Sequence, residues 1–101
     1  MSELVFEFSA RLTEHGAEPS WVMLTLPVDD AEDIRELVPV RPGFGSVPVG
    51  VQIGSAWWRT SIFPDSKSGS YVLPVKRAVR EQAGVDVGDV VDVTLRLVPD
   101  L

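Results

Sequence analysis

Cysteine is absent from the sequence, which excludes disulfides, thiolate nucleophiles and sulfur-ligated metals and makes a reducing, cytoplasmic setting the expected one. Histidine occurs once, at His15, beside Gly16 in a segment of chain breakers. With no second histidine and no cysteine to complete a zinc set, it reads as a solvated turn residue. Long apolar runs are also missing. The longest uncharged stretch, Pro42 to Trp58, is interrupted by four glycines, two prolines and a glutamine, so it reads as loop and strands rather than a membrane helix. Glu3, Glu7, Arg11 and Glu14 break up the first twenty residues, which therefore do not form a signal peptide and are expected to belong to the fold.

Positive charge is scarce: nine lysines and arginines stand against fifteen carboxylates, for a net charge of −6. That field opposes non-specific attraction to nucleic acid or anionic lipid. The imbalance is uneven. Residues 1–53 hold nine acids and three bases, whereas residues 54–101 hold six of each, so any anion-binding face is expected in the second half.

What remains is an ordinary globular composition, 45% hydrophobic and 24% charged, over 101 residues that suit one domain with one core. From Leu4 to Leu12 every second residue is apolar, the mark of a half-buried strand. Trp21 to Leu26 reads as a second strand with Val22, Leu24 and Leu26 inward, pairing with the first as a hairpin. After Pro27, Asp29 or Asp30 can cap a short helix to Leu37, with Ile34 and Leu37 facing the core. Val47 to Ile53 alternates as a third strand, whose Pro48 suggests an edge or bulge. Gly54-Ser55 then makes a two-residue turn into a fourth strand, Ala56 to Phe63. A polar turn at 64–69 leads to a fifth strand, Tyr71 to Val75, and to a helix, Lys76 to Ala83, stopped by Gly84. The last strand, Val91 to Leu97, has the clearest alternation in the chain.

Each half thus runs strand, strand, short helix, glycine-containing turn, strand. The letters echo this weakly: Leu26-Pro27-Val28 matches Leu73-Pro74-Val75, and Ile34-Arg35-Glu36 matches Val79-Arg80-Glu81. Six short strands with one apolar face each bury those faces and lose their edges by closing around a common core. The expected fold is therefore mainly β: a six-stranded, closed, pseudo-two-fold barrel with halves at about 1–53 and 54–101 and two short helices.

The stretch from Leu73 to Val91, with its proline-ended strand, basic helix start, Arg80-Glu81 and Gly88-Asp89, resembles the swapped-hairpin AbrB and MazE regulators and antitoxins. Those proteins build the barrel from two chains, whereas one chain here holds both halves. Over its whole length the sequence is more similar to an uncharacterised bacterial family, a domain of unknown function found alone or ahead of a bacteriocin-protection-type domain. The likeness rests on the Phe-rich opening, Trp21-Val22 through Leu26-Pro27, and Val79-Arg80 through Gly88-Asp89. It implies a double-split β-barrel and no particular activity.

Few residues suggest chemistry. Asp29, Asp30, Glu32 and Asp33 lack the spacing of a calcium loop and read as complements to a helix dipole. Gly43-Phe44-Gly45 and Ser68-Gly69-Ser70 lack the features of phosphate loops and read as turns. Ser61, Ser66, Ser68 and Ser70, even with Lys67 nearby, show no activating base or oxyanion arrangement. Lys76, Arg77 and Arg80 gather on the second helix, where they could meet a phosphate, with a solvated helix face as the plainer reading. Alternation places Trp57 and Arg59 on the outside of the fourth strand and Trp58 in the core.

The candidate binding residues are therefore Trp57, Arg59, Lys76, Arg77 and Arg80, with no catalytic set, metal or cofactor expected. The leading expectation is a non-enzymatic interaction or ligand-binding module, a monomer or weak homo-oligomer that recognises a protein or small molecule. Its alternative is a DNA-binding regulator or antitoxin of the AbrB/MazE type, and a hydrolase or transferase stands third.

Overall fold

The structure, a computed structural model, describes residues 4–14, 21–38 and 45–97. His15, Gly43 and Phe44 lie outside the described residues. Among the described residues, seven strands and two helices follow one another as β1 (Val5–Arg11), β2 (Thr13–Glu14), β3 (Val22–Thr25), α1 (Val28–Leu37), β4 (Val47–Ile53), β5 (Ala56–Asp65), β6 (Ser70–Pro74), α2 (Arg77–Ala83) and β7 (Val90–Leu97). None of the described helices is long and apolar enough to cross a membrane.

The strands form one curled, half-barrel sheet in the order β1-β7-β4-β5-β6-β3-β2, and the pairings between them are antiparallel. This corrects the expectation of a closed six-stranded barrel. The cause lies at Leu12, where the first strand breaks and changes partners: β1 pairs with β7, whereas β2 pairs with β3. Leu12 is buried, and its backbone carries the β1–β7 register one position further into the loop before β7, donating to Asp89 O (2.9 Å) and accepting from Gly88 N (2.8 Å). The expected hairpin between the first two strands accordingly shrinks to Thr13↔Met23 and Glu14↔Val22.

β5 changes partners in the same way without breaking. Ala56 to Ile62 pair with β4, and Phe63 to Asp65 pair with β6. Across the middle, β3 pairs with β6 and β4 with β7, so the second strand of each half meets the second of the other, and the last meets the last. Pro48 has a ladder partner only in Ser61, because the register with β7 runs from Val49 to Gln52. Its missing N–H therefore costs no bond.

Period-two alternation sends Val22, Leu24, Leu26, Val47, Val49, Val51, Ile53, Leu73, Val75, Val91, Val93 and Leu95 into one buried cluster. Helix α1 adds Ala31 and Ile34, three residues apart on one face. Leu37, expected beside them, is instead exposed at the helix end. Asp29 and Asp30 do not cap α1 either. Pro27 occupies the cap position without a side-chain bond, and the two carboxylates lie in the first turn, where they suit the helix dipole. Helix α2 ends as expected at Gly84, left-handed at φ +72°, with Val85 N donating to Arg80 O at 3.0 Å.

Candidate functional site

The outer face of the sheet carries the best-defined arrangement of binding-type residues. On β5, Trp57, Arg59, Ser61 and Phe63 alternate outward, while Ala56 and Ile62 are buried and Trp58 packs half-buried against the core. Trp57 is 54% exposed, as its alternation predicts, but it does not stand free. Its indole lies across Gly50 on β4, and a β-carbon added at position 50 would sit 2.6 Å from Trp57 Cη2. Gly50 is thus buried on an otherwise solvated face because the ring roofs it.

The register sets charge on both sides of that roof. Gly50 pairs with Arg59 on β5 and with Arg96 on β7. Arg59 is exposed and makes no hydrogen bond or ion pair with another described residue, while Arg96 is half-buried. Phe63, 39% exposed, extends the aromatic surface along β5. Sequence reasoning missed Gly50, Phe63 and Arg96. Phe63 was within reach, since it shares the parity of Trp57, whereas Gly50 and Arg96 join the site only through cross-strand register.

The basic residues of α2 do not join this face. Helix α2 sits at the tip of the β4–β5 hairpin, where Ser55 Oγ donates to Gln82 O (3.4 Å) and Gly54 approaches Ala83. Nor do they form a free cationic cluster. Lys76 is the exposed cap residue, Arg77 pairs with Glu81 at 3.2 Å, and Arg80 is half-buried with its Nε lacking a partner among the described residues.

The hydroxyls of Ser68 and Ser70 are committed to local geometry. Buried Ser70 donates from Oγ to Leu26 O (2.8 Å), while Ser68 Oγ donates to Asp65 Oδ2 (2.8 Å) and accepts from Ser70 N (3.2 Å). Among the described residues, no three acids or histidines are grouped to hold a metal ion. The carboxyl of Asp30 is pushed above its usual range, first by burial and then by repulsion from Asp33 and Asp29.

No curated protein matches this sequence. A family model does match, over residues 8–95, and by that match the chain belongs to the family of the domain of unknown function DUF1905.

Proposed function

We propose that the protein is a non-enzymatic binding module whose outer sheet face, centred on Trp57 and Arg59, recognises a segment of another protein. The reading is carried by the Trp57 indole, more than half exposed yet held against Gly50. Aromatic rings with few rotatable bonds lose little entropy on binding, and fixing the ring beforehand lowers that cost further. Arg59 beside it offers a guanidinium unpaired among the described residues, and tryptophan with arginine supplies much of the energy at protein interfaces. The partner that suits this chemistry presents an apolar or aromatic group to Trp57 and a carboxylate to Arg59.

The DNA-binding alternative has weaker support. Arg77 is already paired with Glu81, Arg80 is half-buried, and the first half has Asp29 and Asp30 where the second has Lys76 and Arg77. Half of a symmetric phosphate footprint would then be acidic. The likeness of Leu73 to Val91 to swapped-hairpin regulators bears on that alternative alone.

The test is affinity capture from the cytosol of the host organism with the wild-type chain and with Trp57→Ala, after unfolding curves establish that both are folded. A partner retained by the wild type and lost by Trp57→Ala supports the reading. Equal capture by both, or none by either, removes it.

A further inference from the structure

A second surface lies on the other side of the molecule's first strand. Among the described residues, the backbone of β1 is paired along one edge only. Leu97 N donates to Leu4 O (3.0 Å) and Leu12 N to Asp89 O (2.9 Å), so the even-numbered residues from Leu4 to Leu12 turn their backbone groups toward β7. In an antiparallel ladder the intervening residues point the opposite way. The N–H and C=O groups of Val5, Glu7, Ser9 and Arg11 therefore face the other edge, where no strand of the described residues pairs with them. An unpaired edge of this length is a template for an added strand.

Helix α1 stands off from that edge and leaves a groove of about 280 Å³ lined by Leu4, Val5, Phe6, Asp33, Glu36 and Leu37. Leu4, Val5 and Leu37 are all exposed there, which accounts for the failure of Leu37 to reach the core. A strand edge on one wall and a helix on the other is the geometry in which extended peptides bind by strand addition. The charge of the groove selects among occupants. Asp33 and Glu36 line it, and α1 carries five carboxylates against the single guanidinium of Arg35. Arg35 is turned away, toward Gly69 O and over the Tyr71 ring at 5.6 Å. A second copy of this chain pairing through β1 would bring two such helices together, at a cost in like-charge repulsion.

We infer that the groove between the free edge of β1 and helix α1 binds an extended, basic peptide segment of a partner protein by strand addition. Its backbone pairs with Val5, Glu7 and Ser9, its apolar side chains meet Leu4, Phe6 and Leu37, and its lysines or arginines meet Asp33 and Glu36. This surface is independent of Trp57, so either can fail without the other.

The test is an NMR titration of the full chain with three capped probes: an alternating Val-Lys heptapeptide, its Val-Glu counterpart, and the Val-Lys peptide N-methylated on alternate amides. The expected result is saturable shifts at the amides of Val5, Glu7 and Ser9 and the methyls of Leu37 with the Val-Lys peptide only. Asp33→Lys with Glu36→Lys, both exposed positions, should weaken that peptide at least about tenfold and admit the Val-Glu probe. Three results would overturn the inference: binding that survives N-methylation, affinity unmoved by the charge swap, or Val5, Glu7 and Ser9 amides already protected from exchange in the free chain.

Discussion

The indole of Trp57 lies so close over Gly50 that a β-carbon there would fall 2.6 Å from Cη2 and 3.2 Å from Cζ3 of the ring. Glycine is ordinarily a weak strand residue, but here its missing side chain leaves the space that the outer edge of an exposed tryptophan occupies. Gly50→Ala should therefore displace the ring and destabilise the fold by about 1 kcal/mol, the low end for overpacking because the ring can swing outward. Proton NMR provides the check. The Hα resonances of Gly50 should be displaced by the ring current of the indole in the wild type and return toward ordinary values in Trp57→Ala.

Adjacent tryptophans should separate folding from recognition. Trp58 packs against the core cluster, so Trp58→Ala should cost about 3 kcal/mol through a cavity that the surrounding core cannot close. Trp57→Ala removes only a half-exposed ring and should cost about 1 kcal/mol or less. Urea unfolding of the two variants measures both.

At the end of α2, Gly84 has φ +72° with no atom within 4 Å of an added β-carbon, so any penalty for substitution there is backbone strain rather than a clash. Gly84→Val should lower stability by about 1–2 kcal/mol, read as a lower midpoint of thermal unfolding.

The acidic helix should leave a mark on the pH profile. Asp30 is held above the usual carboxylate range by burial and by Asp33 and Asp29, so the folded state binds its proton more tightly than the unfolded state does. Stability then falls as pH rises from the unfolded value through the raised folded one. Asp30→Asn should accordingly be more stable than the wild type at neutral pH, with the advantage vanishing in acid, as measured by unfolding curves across that interval.

The strands were legible because period two is a local signal: Val47 to Ile53 and Val91 to Leu97 reveal their buried faces without any knowledge of their partners. The same parity placed Trp57 and Arg59 outside, and glycine's tolerance of the left-handed conformation located the cap at Gly84. Pairing was another matter. Nothing local in Leu12 announces that pairing with β7 ends there and resumes against β3, which divides the expected first strand into the β1 and β2 of the curled seven-stranded sheet. Gly50 and Arg96 were hidden for the same reason, since only register brings them beside Trp57. The basic run Lys76, Arg77, Arg80 was legible as a run but not in its surroundings. In the structure Lys76 is exposed, Arg77 pairs with Glu81 and Arg80 is half-buried.

The central claim is that recognition belongs to the Trp57–Arg59 face and not to the basic helix. Its most direct test is the dissociation constant of the captured partner, measured by titration calorimetry against Trp57→Ala, Arg59→Ala and the double variant Lys76→Ala with Arg77→Ala. Trp57→Ala should weaken binding by about thirtyfold, as expected for an interface residue worth about 2 kcal/mol, and Arg59→Ala should weaken it by about tenfold, while the helix variant binds like the wild type. Undiminished binding by the first two, or its loss in the helix variant alone, would contradict the account.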